Sequence, residues 1–204
     1  MTDKNFTFVI TTFRSEAVID DCLKDMPKDI RKIIVENSND HNLKKRLENM
    51  YENTECFLMP DNLGYGKANN FGIAAPQIVE ENKVYQQNTS DHQIKKVEHV
   101  PGMAMILNKK KFNNIFFDEN FFLYLEEIDL CKRMINIGQN ILELNIQLNH
   151  LGNQSHGGYD LEMEKSRNWH WMWSKFYFYK KHHNYLYSFF KTLPNFLSSI
   201  FKYL

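Results

Sequence analysis

The sequence predicts an α/β fold in which a mostly parallel sheet is flanked by helices and followed by C-terminal helices. In the N-terminal third, three short runs of β-branched and aromatic residues alternate with two helical segments, and such alternation is typical of parallel sheets. From Leu161 onward the chain becomes aromatic and basic, which favours a helical extension. We therefore expect one domain over residues 1–160 and an extension over residues 161–204.

Local patterns place the individual elements. The first strand is β-branched and aromatic, and the first helix ends before Pro27. The second helix carries Leu43, Leu47 and Met50 on one side. The acidic helix of the C-terminal half should end near 137, because Gly138 follows. The predicted strands cover residues 6–12, 32–36, 55–59, 97–107 and 141–148, the predicted helices before the acidic one cover residues 16–25 and 42–51, and a break is predicted at Pro194.

Composition excludes several classes of protein. The 204 residues include 43% hydrophobic side chains, enough for a sizeable core, and the 25 basic and 25 acidic side chains cancel. We expect no nucleic-acid partner, because such proteins carry a basic excess. Cys22, Cys56 and Cys131 are odd in number and widely spaced, which favours a cytoplasmic protein without disulfides. The polar start predicts no signal peptide, and no apolar run is long enough to predict a transmembrane helix.

The segment 116–133 combines aromatic rings with carboxylates. Carboxylates beside apolar side chains lose water, and their raised pKa suits proton transfer. On a helix, Glu126, Asp129 and Arg133 would share one face, whereas Glu127 would point about 100° away. The alternative is a structural helix start, with acids near the positive end of its dipole and an Asp129–Arg133 ion pair. The carboxylates of the segment are Asp118, Glu119, Glu126, Glu127 and Asp129.

Two further stretches are candidates for binding. The loop over 60–72 contains Gly64, Gly66 and Lys67, and close glycines before a helix start allow backbone amides to approach a phosphate. The same glycines also suit an ordinary turn. His150 follows a predicted strand, where a lone histidine is either a ligand or a structural side chain.

The C-terminal segment is rich in Trp, Tyr, Phe and Lys. That composition in amphipathic order suits a helix in a membrane interface, so peripheral contact with the inner face of the cell membrane is one expectation. A helical arm packed on the domain, or on a second copy, remains the other. Stacking on single-stranded nucleic acid is disfavoured by the zero net charge.

Several segments, taken in this order, resemble the bacterial rhamnosyltransferase-like members of the family 2 glycosyltransferases. The most specific are Asn-Leu-Gly-Tyr-Gly at 62–66, and Phe-Asp-Glu at 117–119 followed by Glu-Glu-Ile-Asp-Leu at 126–130. The resemblance implies a GT-A fold, which is a Rossmann-like nucleotide-diphospho-sugar transferase fold. It also implies an inverting transfer of sugar from a nucleotide-diphosphate donor to a glycan or lipid-linked acceptor in cell-surface polysaccharide biosynthesis. The resembling segments cover residues 8–13, 34–39, 62–73, 101–105, 117–133 and 150–156.

The resemblance also implies roles for particular residues. Glu127 matches the catalytic base, Glu126 is the acid before it, and Asp129 belongs to the same motif. His150 matches a histidine that completes a site for a divalent metal, Mn or Mg, which would offset charge on the departing diphosphate. The positions that match nucleotide-binding residues are Thr11, Thr12, Arg14, Glu36, Asn62, Gly64, Gly66 and Asn70.

The chain departs from the family pattern in two places. Position 127 is Glu where the family usually has Asp, one methylene shorter. After Ile73 the family continues into a strand that ends in a metal-binding Asp-x-Asp-like pair, but no such pair follows here, as if an internal deletion had removed it around 74–98. Asp91 is the only aspartate in that gap, and its context does not match. An alternative function is therefore a truncated, catalytically impaired relative that binds nucleotide or assists assembly.

Overall fold

The computed structural model describes residues 6–75, 94–109, 112, 116–145 and 161–203, with residues 202 and 203 described by their backbone alone. The chain divides into two compact units. The first comprises Met1–Leu63, Lys67–Lys96 and Leu142–Gly157, and the second comprises Gly64–Gly66, Val97–Ile141 and Gly158–Leu204. The predicted division at residue 160 stays a prediction.

The first unit is built on a parallel sheet of three strands in the order β1-β2-β3. The three strands end together, because Thr12 pairs with Glu36 and Glu36 pairs with Leu58. Helices flank this sheet, which confirms the predicted α/β class and is consistent with a Rossmann-like GT-A fold. The elements are β1 (Thr7–Thr12), α1 (Ile19–Leu23), β2 (Arg31–Glu36), α2 (His41–Met50), β3 (Thr54–Leu58) and α3 (Tyr65–Ala74).

The central strand β2 is apolar on both faces. Successive side chains of a strand point to opposite faces, and Ile33, Ile34 and Val35 are all fully buried. Ile34 belongs to one core cluster with residues of α1 and α2, whereas Ile33 and Val35 belong to a second cluster with residues of α3. Burial on both faces explains why the strand has a continuous rather than an alternating hydrophobic pattern.

The second unit is mainly helical. Its helices are α4 (Glu126–Asn136), α5 (Leu161–His182) and α6 (Tyr185–Tyr203). Gly138 follows α4 with φ 80°, which confirms the predicted glycine stop. The hydroxyl of Ser174 on α5 donates a 2.7 Å hydrogen bond to the Leu123 carbonyl, and the rings of Phe121 and Tyr177 meet edge to face. These contacts place α5 against the segment that precedes α4.

Four of the predicted elements differ from the structure. The strand predicted over 141–148 ends at Leu144, and residues 146–148 lie outside the described residues. The strand predicted over 97–107 is wrong, because β4 (Ile94–Val97) ends early and pairs with β5 (Ile141–Leu144) in a separate two-stranded sheet. Pro101, which lacks an amide donor, follows four residues after Val97 and disfavours a continued strand. The first helix is shorter than predicted, and Val18 at its start provides no side-chain cap. The break predicted at Pro194 is also wrong, since that residue lies inside α6.

Among the helices of the described residues, none combines the length and the apolarity that crossing a membrane requires.

Candidate active site

In the first unit, the end of β1 carries Thr11, Thr12 and Arg14. The Thr12 side chain is buried, and its hydroxyl lies 3.5 Å from the Val35 carbonyl. Arg14 is exposed and has φ 51°, and its amide donates a 3.0 Å hydrogen bond to the Ser38 hydroxyl. Left-handed backbone turns the chain sharply at this position. The strand end therefore presents a guanidinium group at the surface.

The Glu36 carboxylate is completely buried at the end of β2. One of its oxygens accepts hydrogen bonds from the amide and the hydroxyl of Ser38, and the other accepts a 2.8 Å bond from the Asp40 amide. A carboxylate that accepts several such bonds fixes the loop around it. The structure thus gives Glu36 a role in shaping this loop, whereas the predicted contact with a nucleotide stays a prediction.

Asn37 ties the ends of the strands to the following loop. Its amide donates a 2.9 Å hydrogen bond to the Thr12 carbonyl, and its side-chain oxygen accepts a 3.3 Å bond from the Leu63 amide. Asn62 is exposed and Asn70 is half-buried. Thr11, Thr12 and Glu36 therefore lie at the carboxyl edge of the first sheet, where ligands bind in parallel α/β folds. Asn62 lies in the loop after β3, and Asn70 lies inside α3.

Gly64 and Gly66 are buried in the second unit against the segment 117–122. A Cβ atom on Gly64 would lie 2.3 Å from the Phe122 carbonyl oxygen, and one on Gly66 would lie 3.3 Å from Phe117 Cβ. The amide of Tyr65, at the start of α3, donates a 2.8 Å hydrogen bond to the same Phe122 carbonyl. Close backbone packing explains both glycines, and their predicted contact with a diphosphate stays a prediction.

Glu126 opens α4 with a buried carboxyl group, only 5% exposed. Its Oε2 atom is the one buried side-chain oxygen or nitrogen without a hydrogen-bond partner within the described part of the chain. Burial, and to a smaller degree the negative charge of Glu127, raise the pKa of Glu126 to about 8. At neutral pH this side chain is therefore mostly a neutral acid that can donate a hydrogen bond.

Glu127 is half-buried and lies against the loop at Pro101 and Gly102. A Cβ atom on Gly102 would lie 3.4 Å from both Cβ and Cγ of Glu127 and 3.5 Å from the Tyr65 hydroxyl. That hydroxyl donates a hydrogen bond to the Gly102 carbonyl. The side chain of Glu127 therefore lies where the start of α4 meets the loop at Gly102, to which the Tyr65 hydroxyl is hydrogen-bonded.

The backbone before the two acids is strained. Tyr124 and Leu125 have φ values of 73° and 68°, and such conformations cost of order 1–3 kcal/mol in residues other than glycine. Leu125 occupies the N-cap position of α4, but its side chain cannot cap the helix. Strain of this kind is found at functional sites, where surrounding contacts maintain it. Here it fixes the direction in which α4, and with it both acids, begins.

Asp129 is completely buried and fully paired. Its Oδ2 lies 2.7 Å from Arg133 Nε, as the i, i+4 spacing predicted, and its Oδ1 lies 2.7 Å from Lys181 Nζ. The same Oδ1 is 2.9 Å from His182 Nε2. Because burial lowers the pKa of His182 despite the carboxylate, we interpret this contact as a hydrogen bond from a neutral imidazole. The structure gives Asp129 a role in holding α4 on α5.

Lys181 also joins α5 to Asp118. Its Nζ lies 2.6 Å from Asp118 Oδ2, which accepts a 3.0 Å hydrogen bond from the Tyr177 hydroxyl as well. Burial by itself would raise the pKa of Asp118, but the hydrogen bonds from Lys181, Asn120 and Tyr177 outweigh it and lower the pKa to about 2. Asp118 and Asp129 therefore form one ionic network with the end of α5.

The residues that could bind a divalent metal are only partly described. Nowhere in the described ranges do three His, Cys, Asp or Glu side chains come together as a metal site. His150 and Asp91 lie outside the described residues. Within these ranges, Oε2 of Glu126 is the one buried side-chain oxygen without a hydrogen-bond partner. A single carboxyl oxygen does not hold a metal. The described residues thus do not fit the predicted ion.

Sequence reasoning missed the residues that support the acids. Tyr65, Gly102, Tyr177, Lys181 and His182 were not predicted as part of the site. Local spacing carries no signal for them, since His182 and Asp129 are separated by 53 positions along the chain. The only available signal was the placement of a lysine, a histidine and a tyrosine on the last turns of a long helix.

Comparison with known proteins gives one partial match. Over 54 residues the chain is 41% identical to the low-salt glycan biosynthesis hexosyltransferase Agl10 of Haloferax volcanii, and the match covers 24% of this chain and 18% of that protein. No family model matches the chain, and no solved structure matches it. The chain thus spans less than a fifth of the length of the relative it matches.

Proposed function

We propose that the chain is an inverting glycosyltransferase of the family 2, rhamnosyltransferase-like type. It moves a sugar from a nucleotide-diphosphate donor to a glycan or lipid-linked acceptor in cell-surface polysaccharide biosynthesis. The observation that carries the proposal is the pair of acids at the start of α4, of which Glu126 is buried and neutral and Glu127 is half-buried beside the Gly102 loop. Adjacent carboxyl groups in different environments are typical of sites that move protons.

In the proposed reaction, Glu127 is the general base. Its carboxylate takes the proton of the acceptor hydroxyl while that oxygen attacks the anomeric carbon of the donor. The bond from the anomeric carbon to the diphosphate breaks, and its electron pair leaves with the diphosphate. Glu126 is mostly protonated at neutral pH, and its Oε2 is buried away from solvent. We therefore assign the role of base to Glu127, and Glu126 is the neutral acid beside it at the start of α4.

The donor nucleotide is assigned to the carboxyl edge of the first sheet. Arg14 is exposed at the end of β1 and would pair with a phosphate group, since guanidinium groups bind phosphate by two parallel hydrogen bonds. Thr11, Asn62 and Asn70 would contact the nucleotide from the surrounding loops. A divalent ion bound through His150 stays part of the proposal only as a prediction, and the steps above do not depend on it.

A second candidate function is nucleotide binding without turnover. It is favoured by the sequence, in which no metal-binding Asp-x-Asp-like pair follows Ile73, and by the described residues, which contain no cluster of three metal-ligating side chains. Without such carboxylates, the charge on a departing diphosphate would be poorly offset. This second function predicts a bound nucleotide, but no release of sugar.

Donor hydrolysis separates the two functions. The protein is titrated with UDP, TDP and GDP, with and without manganese, and slow hydrolysis of the matching nucleotide sugars is followed. The proposed transferase hydrolyses at least one donor, and Glu127→Gln abolishes this, whereas Glu119→Gln, on an exposed acid of the same segment, does not. Binding of a nucleotide without any hydrolysis supports the second function and contradicts the first.

A further inference from the structure

The helix α6 packs on α5 through polar side chains and through the rings of Tyr185 and Tyr187, which meet Phe176 and Tyr179 edge to face. Lys175 Nζ lies 3.1 Å from Asn195 Oδ1, and the Asn168 side-chain amide donates a 3.0 Å hydrogen bond to the Ser199 hydroxyl. Ser188 is completely buried. At about 100° per residue, Ser188, Asn195 and Ser199 lie within about 40° of one another around the helix axis. One narrow polar strip therefore makes these hydrogen bonds.

The opposite side of α6 is apolar and faces solvent. Leu186 and Phe190 are each 68% exposed, Leu197 is 45% exposed and Phe201 is 79% exposed. By the same helical spacing these four side chains lie within about 60° of one another, on the side opposite Ser188. A helix that packs on a water-soluble domain normally turns its apolar side inward. The orientation of α6 is the reverse, so this face fits an apolar environment outside the chain.

The charged side chains that α6 and most of α5 contribute have one sign. Residues 165–204 contain seven lysines and arginines and no aspartate or glutamate, although the whole chain has 25 of each sign. Lys191 is exposed and lies about 80° around the helix from Phe201, and its Nζ is 5.7 Å from the centre of the Tyr187 ring. A lysine in such a position can reach anionic head groups while the apolar side chains insert below them.

We propose that the apolar face of α6, formed by Leu186, Phe190, Leu197 and Phe201, docks into the surface of a bilayer that contains anionic lipid. The helix lies in the plane of the interface, with its polar strip still packed on α5. Anionic lipid fits this face better than a second copy of the chain, because a copy would bring the same cations against those of α6. The proposal is independent of the proposed transfer reaction, since α6 carries none of its residues.

The test is co-sedimentation of the 204-residue protein with vesicles. Vesicles of pure phosphatidylcholine are compared with vesicles of equimolar phosphatidylcholine and phosphatidylglycerol. We expect binding to the anionic vesicles, and a loss of roughly tenfold or more in Phe190→Ser/Phe201→Ser, because two large side chains no longer insert. The matched control is Ile106→Ser, which changes a 75% exposed side chain outside α6 and should bind as the unchanged protein does.

A second variant tests the role of positive charge and leaves the apolar face of α6 unchanged. Lys191→Glu should weaken binding to anionic vesicles roughly tenfold without changing binding to phosphatidylcholine, and salt should weaken the binding of the unchanged protein. The proposal is overturned if the unchanged protein does not bind anionic vesicles, or if both variants bind them as tightly as the unchanged protein. It is also overturned if the protein is a dimer that Phe190→Ser/Phe201→Ser dissociates and that binds no vesicles. Donor hydrolysis by these variants should stay unchanged, which separates this proposal from the transfer reaction.

Discussion

Replacing Glu126 by Gln should change how the stability of the protein depends on pH. The pKa of this carboxyl group is about 8 in the folded protein, against 4.5 for an ordinary glutamate. Between these values the unfolded chain releases the proton and the folded protein keeps it. Unfolding therefore becomes easier as pH rises, and the stability contributed by protonated Glu126 is present at low pH and lost above.

The magnitude follows from the size of the shift. Each pH unit well inside this window changes the free energy of unfolding by about 1.4 kcal/mol. From about pH 5 to about pH 7, the advantage of Glu126→Gln over the unchanged protein should therefore grow by about 2.5 kcal/mol. Burying the glutamine amide adds a constant cost at every pH, so it shifts the curve of the variant but leaves this growth unaffected.

Urea unfolding of the two proteins over this pH range provides the measurement. The matched control is Glu119→Gln, because Glu119 is exposed and lies in the same segment. The stability of Glu119→Gln should change with pH in the same way as the stability of the unchanged protein. If Glu126→Gln also gives a parallel curve, the carboxyl group is not held neutral by burial, and the division of roles between the two acids loses its basis.

Three further predictions concern the contacts that support the acids. Lys181→Met should destabilise the protein by about 3 kcal/mol, because it leaves the buried carboxylate of Asp129 and the half-buried one of Asp118 without their shared cation. The exposed Lys180 can be changed to Met with little effect in the same urea titration. Asp118→Asn should remove part of the loss of stability that acid causes, since the pKa of Asp118 is about 2 in the folded protein and 3.8 in an ordinary aspartate. The stability contributed by ionised Asp118 is present above pH 3.8 and is lost as the pH falls toward 2. Acid unfolding curves of the variant should lack this loss. Gly64→Ala should lower the melting temperature far more than Gly138→Ala, because both glycines have positive φ but only the first would place a Cβ against a carbonyl; equal losses would contradict the packing explanation.

The sheet and its flanking helices could be predicted from the sequence because their signals are local. The apolar run around Ile33 to Val35 reflects burial on both faces of β2, and Leu43 and Leu47 mark the buried side of α2. The ion pair of Asp129 with Arg133 followed from helical spacing alone. In each case the residues that interact are close in sequence, or repeat with the period of their element.

The remainder of the site depends on contacts between distant residues, which local patterns do not encode. Nothing near Asp129 indicates that Lys181 and His182 will pair with it. The glycines at 64 and 66 looked like a phosphate loop, because a glycine required by close protein packing has the same local signature as one required by a ligand. The strand predicted over 97–107 is wrong because its apolar residues suggested burial, whereas Met103 and Ile106 are 54% and 75% exposed.

The most direct test of the account compares donor hydrolysis by Glu126→Gln and Glu127→Gln under identical conditions near neutral pH. If Glu127 is the base, its replacement should lower the rate by roughly 100-fold or more. Glutamine at 126 mimics a neutral acid that donates a hydrogen bond, so that variant should keep most of the rate. Equal rates for the Glu127 variant and the unchanged protein, or a larger loss from the Glu126 variant, would contradict the assignment of the two acids.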